Sequence, residues 1–138
     1  MEARQRRNVS LVSSGILAVL TLSVFMASLN KGPVSSVTRF HQALARDDRA
    51  TLRAVSLGPL DSPSMLALRQ QILNRIGPQT KIEVARVDRK KGYAFVYVVY
   101  RSQNSQAVPW VFATKRFEST WLVDAEYTLI VNTRLPGE

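Results

Sequence analysis

The hydrophobic pattern changes period twice along this chain. From Asn8 to Asn30 no residue is charged, and apolar side chains dominate Val9-Ser-Leu-Val, Gly15-Ile-Leu-Ala-Val-Leu and Val24-Phe-Met-Ala. About 20 such residues, rising ~1.5 Å each in a helix, cross a hydrocarbon layer ~30 Å thick. Between Val34 and Ile76 the apolar positions recur at three and four, the spacing of amphipathic helices. Beyond Thr80 the period falls to two, the spacing of strands.

Within the helical stretch, Gly32-Pro33 is a break followed by a helix starter. Val34, Val37, Phe40, His41 and Leu44 then form one stripe, ending near Arg46. Asp48 is placed to cap a short second helix with Ala50, Leu52 and Val55 inward, and Gly58-Pro59 stops it. Asp61-Ser-Pro63 opens a third helix whose stripe is Met65, Leu68, Ile72 and Ile76, closed by Gly77-Pro78.

In the strand stretch, Ile82 and Val84 alternate with Lys81 and Glu83, and the phase slips at Ala85-Arg86-Val87, which predicts a bulge. Lys90-Lys-Gly92 turns the chain. Tyr93 to Tyr100 is apolar on both faces, as expected of a central strand. After the polar loop from Ser102 to Gln106, Val108, Trp110 and Phe112 mark a third strand running to about Phe117, with Pro109 near its start. Glu118-Ser119 turns again. A fourth strand is read from Trp121, Val123, Ala125 and Tyr127, with Leu129-Ile-Val131 as its extension. Three helices followed by four antiparallel strands make an α+β domain, the helices covering one sheet face. The expected core is Phe40, Leu44, Leu52, Leu68, Ile72, Val84, Phe95, Tyr97, Trp110, Phe112, Trp121 and Val123, leaving Val98 and Tyr100 as an apolar outer face.

The flanks of the first run give it a direction. Arg4, Arg6 and Arg7 precede it and Lys31 follows, so residues 1–8 are expected to be a cytoplasmic stub, 9–30 an uncleaved signal anchor and 31–138 an extracytoplasmic domain, periplasmic at an inner membrane. Ser10, Ser14 and Ala18, four apart with Gly15 beside them, offer a helix face that another helix can approach closely. The chain carries a net charge of +9. Sixteen of its 19 Lys and Arg and nine of its ten Asp and Glu lie from Lys31 onward, leaving that part at +7. Such a domain beside a bilayer is suited to anionic head groups or an acidic partner. Its basic residues are dispersed and match no nucleic-acid module.

Few groups are candidates for chemistry. His41 is the one histidine, and a lone histidine on an apolar stripe packs more often than it acts as a base. Asp47 and Asp48 lie in an interhelix turn, while Asp124 and Glu126 are expected on the solvent face of the last strand. There is no cysteine, and the sequence offers no convergent ligand set for a metal and no glycine-rich phosphate loop, so no cofactor is expected.

Two stretches resemble a known family. Val37-Thr-Arg-Phe-His-Gln-Ala-Leu-Ala-Arg-Asp-Asp48 is similar to the opening helix of the nuclear transport factor 2-like superfamily. Glu118-Ser-Thr-Trp-Leu-Val-Asp-Ala125 is similar to its closing strand. The resemblance implies a curved, cystatin-like sheet forming a cone, here lined by His41, Tyr97, Trp110 and Phe112. It also implies an outer sheet face, here Val98 and Tyr100, that pairs with a second copy or another subunit. Domains of this fold on single anchors occur in type IV secretion scaffolds, and other members are isomerases or dehydratases. The expected function is a non-catalytic, single-pass subunit of a larger membrane complex. The alternatives are a tethered module holding a small apolar ligand or peptide, and an isomerase-type enzyme. Replacing Ser14 and Ala18 with Leu is expected to weaken association with a partner helix, read by co-purification from the membrane; undiminished recovery of the partner refutes the packing face.

Overall fold

The computed structural model describes residues 32–77, 79–102 and 106–134. The expected stub and anchor, with the expected face of Ser10, Ser14, Gly15 and Ala18, lie outside the described residues. Among the described residues no helix is long and apolar enough to cross a membrane. The domain is α+β, with helices α1 (Pro33–Arg46), α2 (Arg49–Val55), α3 (Pro63–Arg75) and α4 (Ala125–Arg134). Strands β1 (Lys81–Lys90), β2 (Tyr93–Arg101), β3 (Ala107–Phe117) and β4 (Thr120–Val123) form one antiparallel meander in sequence order.

The helix punctuation acts as its chemistry dictates. Pro33 occupies the first turn of α1, where its missing amide costs nothing. Asp47 ends α1 in a left-handed conformation, and the following turn returns the Asp48 amide to the Ala43 carbonyl. The Asp48 carboxylate accepts from the Thr51 amide at 3.2 Å and the Thr51 hydroxyl at 2.7 Å. Those bonds favour the ionised form and lower the Asp48 pKa. The Ser62 hydroxyl caps α3 through the Met65 amide at 3.2 Å. Of the three residues expected inward on α2, Leu52 and Val55 are buried but Ala50 is exposed.

The bulge in β1 is where the phase slips: the pairing with β2 shifts between Val84 and Arg86. At the next turn Gly92 has φ +77°, a region other residues enter at a cost, and Lys90 is thereby set opposite Tyr93. The core between the helices and the sheet joins Val37, Phe40, Leu44, Leu52, Met65, Leu68 and Ile72 to Val96, Val98, Tyr100, Trp110, Phe112 and Val123.

Two expectations are corrected. Strand β2 is inverted relative to the sequence reading: Ala94, Val96, Val98 and Tyr100 point into the core, while Tyr93, Phe95, Tyr97 and Val99 are half-buried on the other face. Val98 and Tyr100 are therefore not an outer face. Of the other expected core residues, Trp121 is half-buried, and Val84 faces the helix side from edge strand β1 with 37% of its surface exposed.

The second correction is the fourth strand, which stops at Val123 and gives way to α4. Asp124 is an N-cap, its carboxylate accepting from the Tyr127 amide at 3.0 Å. Ala125, Thr128, Leu129 and Asn132 recur at helical spacing behind it and are at least half-buried.

This helix replaces a missing strand. Since β4 pairs only with Thr114 to Phe117, the rest of β3 would expose its backbone. Helix α4 lies along that edge. The Ala113 amide donates to the Thr128 hydroxyl at 3.0 Å, and the Val111 amide to Asn132 Oδ1 at 2.9 Å. Asn132 Nδ2 returns a bond to the Val111 carbonyl at 2.7 Å. Four helical residues advance about 6 Å and two strand residues about 6.8 Å, so the side chains keep step with the ladder. Replacing Asn132 with Leu strands both Val111 groups and is expected to cost about 1–3 kcal/mol in urea denaturation. Replacing exposed Thr133 with Val is expected to cost under about 0.5 kcal/mol; equal costs for the two would refute the edge-pairing role.

Candidate functional site

His41 is brought to Tyr100 by the packing of α1 on β2. Its ring is completely buried, with Phe112 edge-on at 5.0 Å and Phe40 at 6.3 Å between centroids. The Val37 carbonyl lies 2.8 Å from Nδ1 and can only accept, so Nδ1 carries the proton. Nε2 is then an acceptor, and the Tyr100 hydroxyl donates to it at 2.6 Å. Burial lowers the His41 pKa to about 4, against a smaller upward pull from the Val37 bond. Burial also raises the Tyr100 pKa, opposed by the Arg75 charge. The pair is a neutral brace between helix and sheet, with both ring nitrogens engaged.

The four residues expected to line a cone are therefore divided. His41, Trp110 and Phe112 share the helix-covered side, where Phe112 is fully buried. Tyr97 lies on the opposite face, under the Arg86 guanidinium at 4.2 Å. Asp47 and Asp48 shape the α1–α2 turn, and Asp124 and Glu126 stand at the start of α4 rather than on a strand face. Among the described residues no three acidic or histidine side chains converge as a metal site.

A small cavity of about 190 Å³ opens where α3, β3 and α4 meet, lined by Gln71, Arg75, Trp110, Leu129, Asn132 and Thr133. Arg75 stacks on the Trp110 ring at 4.4 Å. Its Nε and the indole Nε1 are both shut from solvent and have no partner. Arg75 and Trp110 thus meet the cavity through their stacked faces rather than through these two nitrogens.

The larger feature is the sheet face away from α1–α3. Tyr93, Phe95, Tyr97 and Val99 run down its central strand, and Tyr127 of α4 widens the row, 5.5 Å from both the Tyr93 and Phe95 rings. Lys115 stands 5.8 Å over Tyr93, and β1 sets Glu83, Arg86, Asp88 and Lys90 beside the row. The result is an aromatic strip with a charged margin, the composition that favours protein contacts. Tyr93 and Phe95, from a strand apolar on both faces, join this row together with Tyr127. The signal for the first two was the turn at Gly92, which sets them beside the charged residues of β1.

The buried histidine makes stability pH-dependent. Above the ordinary histidine pKa of 6.5 both states are neutral at His41 and its contribution is complete. As pH falls from 6.5 towards 4 the unfolded chain takes up a proton that the folded chain refuses, so stability declines. The expected loss from this group between roughly pH 7 and pH 5 is about 2 kcal/mol. In denaturant titrations, His41→Phe is expected to flatten that slope; an unchanged slope would overturn the assignment. No family model, curated protein or solved structure matches this chain.

Proposed function

We propose that this chain is a non-catalytic, single-pass membrane subunit whose extracytoplasmic domain docks another subunit of a larger complex. The observation that carries this reading is the aromatic strip of Tyr93, Phe95, Tyr97 and Tyr127 on the sheet face away from α1–α3. Aromatic rings with an arginine stacked on them supply much of the binding energy at protein interfaces. The uncharged run from Asn8 to Asn30 supports the anchor, and the basic flank at Arg4, Arg6 and Arg7 supports an inside N-terminus. The order of three helices before a meander supports the likeness to the nuclear transport factor 2-like superfamily, with the strip in place of Val98 and Tyr100 as its pairing face.

A second reading, a tethered module that holds a small apolar ligand or peptide, draws on the cavity of about 190 Å³ beside the stacked Arg75 and Trp110. The two readings part on native mass. Extracted gently from its own membrane, the full chain is expected to run as a large particle with fixed partner proteins; a monomer or homodimer alone would overturn the subunit reading. Tyr97→Asp is expected to reduce partner recovery at least about tenfold, as for loss of an interface hot spot, with an unchanged melting temperature. Full recovery with the folded variant would refute the strip as the docking face.

A further inference from the structure

Three arginines converge where nothing in the fold requires them. An open groove of about 700 Å³ lies between α2, α3 and the loop joining them, with Arg49, Arg53 and Arg69 on its walls beside Leu60, Leu66 and Asp61. Arg49 and Arg53 are four apart on α2 and so share one of its faces. Arg69 follows Leu66 by three on α3 and meets the groove from the other side. Like charges at helical spacing repel. Three guanidiniums against one carboxylate leave the groove strongly positive. Among the described residues, the ion pairs are Arg86 with Asp88 and Arg101 with Glu83, and none of the groove's arginines takes part in either.

Arg69 is less exposed than Arg49 and Arg53. Its Nε is shut from solvent and has no hydrogen-bond partner. Packing shuts that nitrogen away from any occupant of the groove, so the donors Arg69 can offer there are its terminal nitrogens. The planar fork of arginine matches the oxygens of phosphate, two parallel bonds at a time. The walls are not purely polar, because Leu66 keeps 51% of its surface exposed at the groove. The volume exceeds that of a bare ion and falls within the range of small-ligand sites.

We propose that this groove binds a phosphate-type oxyanion, supplied either as free phosphate or as the phosphodiester of an anionic lipid head group. Arg49, Arg53 and Arg69 hold its oxygens, and Leu60 and Leu66 receive the less polar body attached to it. The site lies on the helix side of the sheet, so it stands or falls separately from the aromatic strip.

The test uses the full chain in phosphatidylcholine nanodiscs, titrated calorimetrically with inorganic phosphate and, separately, with glycerophosphoglycerol. Saturable binding of both assigns the site to phosphate in general. Binding of the diester alone assigns it to a lipid head group. Binding of neither overturns the proposal. Arg53→Gln and Arg49→Gln, both exposed positions, are each expected to weaken binding at least about tenfold. Lys91→Gln, which removes the same charge from a distant exposed turn, is expected to change nothing. If Lys91→Gln weakens binding equally, or neither arginine variant does so while melting normally, the proposal fails. Tyr97→Asp is expected to leave phosphate binding intact, which separates this result from the fate of the docking face.

Discussion

A histidine and a tyrosine buried together would each be a liability alone. Taking an imidazole or a phenol out of water without a partner costs several hydrogen bonds' worth of solvation. Here each resolves the other: Tyr100 donates to His41, and His41 donates to the Val37 carbonyl. The bond joins α1 to the far end of β2, and its geometry requires Tyr100 to face the helices. Because strand side chains alternate, that one constraint turns Val98, Val96 and Ala94 inward and Val99, Tyr97, Phe95 and Tyr93 outward. The composition of the open sheet face is a consequence of a contact buried beneath the opposite one.

Much of this was legible in the residues. Caps, prolines and glycines mark the helices and turns, because backbone donors at helix starts must be satisfied and tight turns need particular residues. The phase of β2 was harder, since a strand apolar on both faces gives alternation nothing to decide. The deciding information sits one strand away. The turn at Gly92 pairs Lys90 with Tyr93, Asp88 with Phe95 and, past the bulge, Arg86 with Tyr97. Charged neighbours mark the wet face, so the aromatics beside them lie outside and the smaller residues within. Ranking side chains by size alone sends the large rings to the core instead.

Helix α4 shows a different failure of periodicity. Trp121, Val123, Ala125 and Tyr127 alternate as a strand would, yet Ala125, Thr128, Leu129 and Asn132 recur as a helix would. Tertiary demand selects the second pattern. Only a helix presents Thr128 and Asn132 together to the bare edge of β3 while Asp124 caps its start. The outer sheet face is made of other residues than expected: Val98 and Tyr100 turn inward, and Tyr93, Phe95 and Tyr97 turn outward. The arginine groove was hidden because its members come from two helices, and no spacing in the sequence brings Arg53 and Arg69 together.

The treatment of the sheet's edges limits how copies or partners can join it. The bare part of β3 is occupied by the side chains of α4, and the Leu57 amide bonds the Val123 carbonyl along β4. At the other margin β1 is bulged and lined with Lys81, Glu83, Arg86, Asp88 and Lys90, a strand poorly suited to accept a flat neighbour. Growth by adding strands is thus discouraged in both directions. What the edges disfavour is the open-ended, strand-by-strand growth that builds a fibre.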